Sequence, residues 1–347
     1  MHKISIQHRD KLIMQDLLSI IAASPNGISA GEIEKRMSLS RPTINRRLKV
    51  AIDAKLIVAK GEGAARVYLD ADPLRPVRQY FDTPLSDRPF AKYREELLEY
   101  HPSLEPFKLM RVSGFQIDKR NLVRFLVDFA CASSVLEGGT YSLLDTQALI
   151  EYGERVEGKP LSDAFLVLNH KNAFEYLYDH LALDSIFEVH KRLTDDHGLS
   201  ELKSSPHFLD SGQQGVVREY DEVRINTTSY SPPFRPGTGY IKKMLDYILK
   251  RSASIEDPIE SAFYLFTRLP YLQPFADGNK RTSRAMCNVP LMRAGLPSIS
   301  FMDFSKRDYI VSMLSFYELG DTKFAATTFS SAYQKSCTRL QKPFVHG

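Results

Sequence analysis

Leu272-Gln273-Pro274-Phe275-Ala276-Asp277-Gly278-Asn279-Lys280-Arg281-Thr282-Ser283-Arg284 is the stretch on which the reading of this chain turns. Apolar segments at 261–272 and 285–291 flank it, each of helical length and neither alternating as a strand would. A Pro, an Asp-Gly pair and an Asn make its middle a tight loop between two helices. The loop opens directly into a helix bearing Arg281 and Arg284, whose i, i+3 spacing makes them neighbours on one face. Free N–H groups at a helix start, together with two guanidiniums, suit a polyphosphate. Asp277 beside them can hold a Mg²⁺ that bridges phosphates. An ordinary helix–turn–helix with a solvated basic face satisfies the same pattern.

Pro274, Phe275, Asp277, Gly278, Asn279, Arg281 and Arg284 fall in register with, and resemble, the Fic family signature His-Pro-Phe-x-Asp/Glu-Gly-Asn-Gly-Arg-x-x-Arg. Two positions depart: Gln273 stands where that family has His, and Lys280 where it usually has Gly. The resemblance implies a mostly α protein, with a Fic-type helical core and a β-hairpin flap. It also implies ATP and Mg²⁺ as cofactors and AMP transfer to a Ser, Thr or Tyr hydroxyl of a protein target. On this reading Asp277 holds the metal, and Gly278, Asn279, Lys280, Arg281 and Arg284 bind the nucleotide phosphates. Gly278 lets the backbone approach the anion, Asn279 fixes the loop and Phe275 anchors it in the core. Gln273 occupies the catalytic position, but a carboxamide has no useful basicity. General-base assistance is worth about 10²–10⁴ in rate, so unassisted transfer is slower by a factor of that order. Lys280 resembles the variant of the death-on-curing branch; it is a phosphate contact or a solvated helix-start lysine.

Residues 121–136 have helical periodicity, with Leu122, Phe125, Leu126 and Phe129 inward, and the glycines after Glu137 end the helix. By spacing alone Glu137 is simply its last exposed carboxylate. Ser133, Glu137 and Gly138 nevertheless resemble the family's inhibitory motif Ser/Thr-x-x-x-Glu-Gly/Asn. That resemblance implies a Glu137–Arg284 pair that obstructs the ATP γ-phosphate. Residues 216–230 are β-rich and polar and run into Pro232-Pro233. They resemble the Fic flap, with Val223, Ile225 and Thr227 on the edge that docks the target. A hairpin that merely covers the core fits as well. His170 and His190 lie inside amphipathic helices at 161–179 and 184–194, with no partner at catalytic spacing, and are packed histidines rather than bases. A helix over 93–100 and closing helices at 303–319 and 322–337 complete this part.

The first 72 residues have a different pattern. A helix at 10–23 buries Leu12, Ile13, Leu17, Ile20 and Ile21, and Ser29 with Glu32 forms a capping box for a helix at 30–37. Ser40 and Pro42 open a third helix with Ile44, Leu48 and Ile52 as its buried stripe. Residues 56–60 and 66–69, about a Gly-Glu-Gly turn, form a hairpin. Three helices and a hairpin resemble a winged helix-turn-helix. No acidic residue falls between Lys35 and Ile52, so Arg41, Thr43, Asn45, Arg46, Arg47 and Lys49 make a patch of one sign suited to DNA. A protein-interaction module with a basic helix is the alternative.

Six prolines between 73 and 106 mark a linker or extended arm, so the expected organisation is 1–72 winged helix, 73–118 linker and 119–347 Fic domain. Hydrophobic residues at 43% and charged residues at 25% of 347 are those of a chain able to bury a large core. A net charge of +4 leaves nucleic-acid binding to local clustering. Cys131, Cys287 and Cys337 lie too far apart in sequence for a Cys-x-x-Cys pair and suit a reducing compartment. Gln15, Asp16 and Ser19 interrupt the one run near the N-terminus that imitates a signal peptide, and no run reaches membrane-spanning length, so the cytoplasm is expected. A homodimer is compatible with all of this. The resemblance therefore implies an adenylyltransferase weakened at Gln273 and autoinhibited by Glu137, or a DNA-binding transcriptional regulator whose second domain senses a nucleotide without catalysis.

Overall fold

Ser29 caps a helix of the N-terminal unit, whereas Ser40, at the N-cap position of the next helix, makes no side-chain cap hydrogen bond. In the computed structural model, which describes residues 2–24, 26–72, 74–101 and 119–341, Ser29 Oγ accepts the Glu32 N–H while the Glu32 carboxylate accepts the Ser29 N–H at 3.0 Å. This capping box starts α2 (Ala30–Met37), which follows α1 (His2–Ala22) and the short strand β1 (Ile28–Ser29). Pro42 lies in the first turn of α3 (Arg41–Asp53), where its missing N–H would have had no helical partner anyway. Strands β2 (Ile57–Lys60) and β3 (Val67–Asp70) form the wing hairpin, and β1 pairs with β3, giving an antiparallel sheet of order β1-β3-β2. Leu17, Ile21, Ile33, Ile44, Leu48, Ala51, Ile57 and Tyr68 close the core. Ala51, not Ile52, completes the buried stripe of α3: Ile52 is 38% exposed, because the helix turns its Ala51 edge toward the hairpin. Leu12 is also on the outer side of α1, at 47% exposure.

The chain divides into two units, Met1–Arg88 and Pro89–Gly347. The proline-rich segment is shared between them. Helix α4 (Arg75–Asp82) belongs to the first unit, and β4 (Ala91–Lys92) to the second, where it pairs in parallel with β5 (Tyr230–Ser231). The expected helix over 93–100 is only a 3₁₀ turn at Glu95–Leu98. Tyr264 Oη donates to the Leu98 carbonyl and Arg268 Nε to that of Leu97, so core side chains take up carbonyls that a longer helix would have used. Residues 102–118 lie outside the described residues.

The second unit is helical: α5 (Lys119–Glu137), α6 (Leu143–Tyr152), α7 (Leu161–Asp179), α8 (Ile186–Thr194), α9 (Ser200–Lys203), α10 (Tyr240–Ser254), α11 (Pro258–Leu272), α12 (Asn279–Met286), α13 (Asn288–Arg293), α14 (Lys306–Leu314) and α15 (Lys323–Gln341). Asp257 caps α11 by accepting the Ile259 N–H at 2.9 Å, with Pro258 as its first residue. From Ser261 to Leu272 every side chain of α11 is buried, so it is the central rod of the unit. Its hydrophobic surroundings hold fixed the loop that leaves its C-terminal end.

The α11–α12 loop and its candidate phosphate site

Helix α11 stops at Gln273, which adopts the left-handed conformation (φ 51°) ahead of Pro274. A non-glycine residue there costs about 1–2 kcal/mol, and the side chain supplies compensation. Gln273 Nε2 donates to the Pro270 carbonyl at 2.6 Å, and its Oε1 accepts from Asn279 Nδ2 at 2.8 Å. Asn279 also accepts the Phe275 N–H at 2.9 Å and donates to the Phe275 carbonyl at 2.9 Å, tying both ends of the loop together. Phe275 is fully buried and stacks on the His190 ring at 3.8 Å. Thus the Gln273 amide faces into the loop and serves its geometry.

His190 has one definable tautomer. The Gly215 N–H donates to its Nδ1 at 2.8 Å, so Nε2 carries the proton and donates to the Asp277 carbonyl at 2.9 Å. Burial pushes its pKa down to about 3, with the Arg281 charge acting in the same direction. It is a neutral strut. His170 is likewise fully buried, hydrogen-bonded to the Leu166 carbonyl, and pushed to about 3 by burial and the nearby Arg284 charge. Gly278, the residue before α12, has φ 74°, and a Cβ there would stand 2.8 Å from Thr194 Cγ2. Its lack of a side chain is therefore demanded by α8 on the protein side as well as by the turn.

The opening N–H groups of α12 have no acceptor within the helix. Around them the charges are arranged unequally. Arg281 is buried, donating to the carbonyls of Leu193 (3.0 Å) and His207 (2.7 Å) and to Asp277 Oδ2 (3.1 Å). It welds the 193–207 loop to α12. Lys280 is partly exposed, and the Asp277 carboxylate is half exposed. Among the described residues no cluster of three or more His, Cys, Asp or Glu could cage a metal. A single accessible carboxylate beside phosphate donors fits Mg²⁺, which usually takes one or two carboxylates and completes its shell with phosphates and water.

Arg284, at zero exposure, meets α5. Its Nε donates to Ser133 Oγ at 2.8 Å, its Nη2 to Glu137 Oε1 at 2.7 Å and to the Ser133 carbonyl at 3.2 Å. Nη1 donates to Tyr309 Oη at 2.7 Å. Burial disfavours the Glu137 carboxylate, yet the Arg284 guanidinium, helped by Lys280 and Arg281, holds its pKa well below the usual range. Helix α5 ends at Glu137, and Gly138 follows with φ 105°. Ser133, Glu137 and Arg284, far apart in sequence, are thus brought together. Tyr309 had no sequence signal, since a tyrosine inside an amphipathic helix looks like core.

The segment expected to be a hairpin is irregular. Val223 and Ile225 are half-buried in non-strand backbone, and Thr227 is exposed in a turn. The reason lies in its anchors. Arg218 donates to the carbonyls of Gln273, Pro233 and Asp221, and its own N–H donates to that of Pro274. At the other end Glu318 accepts from Thr228 Oγ1 and the Ser229 N–H. Side chains and loop carbonyls take the bonds that strand pairing would have made, and the extended pairing falls at β5 instead. Arg218 was another residue without a sequence signal.

On α3, Arg41, Asn45, Arg46 and Lys49 are exposed. Arg41 lies 3.4 Å from Glu34, and Thr43 Oγ1 lies 3.0 Å from Ser40 Oγ. Arg47 differs: its side chain is 14% exposed and paired with Asp10 of α1, so it holds α3 to α1.

A buried helix, a loop tied across by Asn279 and an arginine clamped from a distant helix define this helical unit. Residues 180–291 match the Fic/DOC family, and residues 16–66 match the MarR family. The chain carries a Fic domain and, N-terminal to it, a MarR-type winged helix domain. It is similar to the protein adenylyltransferase Fic of Nematostella vectensis, 28% identical over 188 residues, covering 51% of this chain and 40% of that protein. It is also similar to the protein adenylyltransferase fic-1 of Caenorhabditis elegans, 28% identical over 196 residues, covering 54% and 36%. The matched region is thus less than half the length of these relatives. A solved Fic family protein from Desulfovibrio desulfuricans G20 shares the fold at TM-score 0.50 and 18% identity, covering 66% of this chain and 69% of that one. No helix among the described residues is long and apolar enough to cross a membrane.

Proposed function

We propose that this chain binds ATP at the start of α12 and transfers AMP to a protein hydroxyl, slowly because of Gln273 and under restraint by Glu137. The observation that carries the reading is the 2.7 Å Glu137–Arg284 contact: a buried cation in the last turn of α12, the helix that opens from the loop, is occupied by a carboxylate. A carboxylate and a phosphate oxygen compete for the same guanidinium donors. With Glu137 in place, Arg284 is turned from the γ-phosphate. With Glu137 withdrawn, the Nη2 donor is available to it. The α12 N–H groups and Lys280 take the remaining phosphate oxygens, and Asp277 holds Mg²⁺, which when bound would neutralise charge as pyrophosphate leaves. Residues 223–227, between the Arg218 and Glu318 anchors, offer backbone to the target segment.

Gln273 supplies no base, and its amide is engaged with Pro270 and Asn279. That engagement favours a second reading, in which the Fic domain senses a nucleotide for a DNA-binding regulator using Arg41, Thr43, Asn45, Arg46 and Lys49. In both readings the cytoplasm is the setting, and a homodimer is allowed. Calorimetry with Mg²⁺-ATP on the wild type, Glu137→Gly and Arg284→Ala, followed by radiolabelled AMP transfer, tests them. Tighter binding in Glu137→Gly and weaker binding in Arg284→Ala are expected. Transfer that stays absent in Glu137→Gly combined with Gln273→His would leave the sensing reading alone. No ATP binding in any variant would overturn both.

A further inference from the structure

Arg284 is held from two sides, and the sides are not equivalent. Among the described residues, its contacts with Ser133 Oγ, the Ser133 carbonyl and Glu137 all come from α5, the helix that carries the inhibitory carboxylate. The contact with Tyr309 Oη comes from α14. Tyr309 is 2% exposed, and its ring lies 5.2 Å from the guanidinium carbon. Any displacement of the end of α5 that withdraws Glu137 also loosens Ser133, four residues away on the same helix. Tyr309 stays.

We infer that Tyr309 is the positioning residue of the phosphate clamp: it holds Nη1 of Arg284 so that Nη2 can exchange the Glu137 carboxylate for a terminal phosphate oxygen without the guanidinium swinging away. The inference rests on the ATP-binding reading above and adds the part that aims Arg284. A flexible, unanchored arginine would lose rotamer freedom on binding, whereas an anchored one is already aligned. The neutral hydroxyl suits the task, because it accepts from the guanidinium without competing for it as a carboxylate would.

The test is a cycle in the full-length Glu137→Gly chain, titrated by calorimetry with Mg²⁺-ATP and, separately, with AMP, which has no terminal phosphate. Tyr309→Phe should weaken ATP binding on the order of tenfold, the effect of losing one hydrogen bond to a charged group, and leave AMP within about twofold. In an Arg284→Ala background it should add nothing. ATP affinity unchanged by Tyr309→Phe, or ATP and AMP weakened alike, would overturn the inference. So would an effect that adds fully to Arg284→Ala. If Arg284→Ala itself leaves ATP binding untouched, the phosphate reading falls and takes this inference with it. If Arg284→Ala weakens ATP and Tyr309→Phe does not, this inference alone falls. Should Tyr309→Phe not fold, Tyr309→Met enters the same cycle with the same outcomes.

Discussion

Replacing Glu137 by Gln keeps the shape of its contact with Arg284 and removes the charge. In the wild type the 2.7 Å contact joins a carboxylate to a guanidinium at zero exposure. Breaking a buried ion pair by removing one partner costs about 3–5 kcal/mol when the other charge is left uncompensated. Here Arg284 keeps Ser133 Oγ, the Ser133 carbonyl and Tyr309 Oη as acceptors, and the Gln oxygen still accepts. The loss therefore falls nearer the value of one charge-assisted bond, about 2 kcal/mol. At about 2–4 °C per kcal/mol for a unit of this size, Tm should drop by about 4–8 °C. A polyphosphate should restore the missing anion. At a hundred times the variant's Kd, ATP adds about 2.7 kcal/mol to the variant and less to the wild type, whose Arg284 is already held by Glu137, so the gap should narrow in Mg²⁺-ATP. Thermal unfolding of both proteins, with and without ATP, reads this directly. An unchanged or higher Tm, or a deficit that ATP narrows no more than it does in Arg284→Ala, would refute the reasoning. The sign with pH agrees: a carboxyl held below its ordinary range contributes stability above about pH 4.5, and that contribution is lost as the pH falls further.

Gly278→Ala should destabilise by about 2–4 kcal/mol, from the left-handed backbone and a Cβ 2.8 Å from Thr194 Cγ2; Thr194→Ser, which deletes that methyl, should recover part of the Tm. His170 and His190, each held near pKa 3, should make the second unit acid-labile. Their folded pKa lies below the unfolded 6.5, so each contribution is complete above that pH and shrinks by about 2 kcal/mol by pH 5, measurable as a lower urea midpoint. Arg46→Ala and Lys49→Ala should each reduce the slope of log K against log salt for duplex DNA by about one. Arg47→Ala should instead lower the stability of the first unit, because its partner is Asp10; an equal loss of salt slope there would place Arg47 on the DNA.

The helical elements were legible wherever periodicity and capping agreed, as at Ser29 with Glu32 and at the glycines after Glu137. The α11–α12 loop was legible because its Pro, Gly and Asn have backbone requirements that few loops share. Three things were not. Arg47 and Arg46 are adjacent and identical in sequence, and only the path of α1 determines which of them is turned inward. The irregular segment at 216–230 has β-forming composition, but its conformation is imposed by Arg218 and Glu318, one of them remote in sequence. Tyr309 joins Arg284 across the fold, and a single hydroxyl inside a helix pattern announces no partner.

Gln273 joins these observations into one argument. In the loop it fills the left-handed position after α11, its amide Nε2 donating backward to the Pro270 carbonyl and its amide Oε1 accepting forward from Asn279, and Asn279 in turn fixes Phe275. The residue that cannot act as a base therefore preserves the loop from which α12 starts. Selection for chemistry alone would not explain an intact loop behind an absent base, and a decayed site would not explain an arginine with every described contact in order. Under the proposed function, what the arrangement keeps is control over who occupies Arg284: the Glu137 carboxylate or an incoming phosphate. Occupancy of that guanidinium is the quantity that the two functional readings share, and it governs either a slow transfer or a nucleotide signal. Measurements on Arg284 and Glu137 thus come before any search for a target hydroxyl.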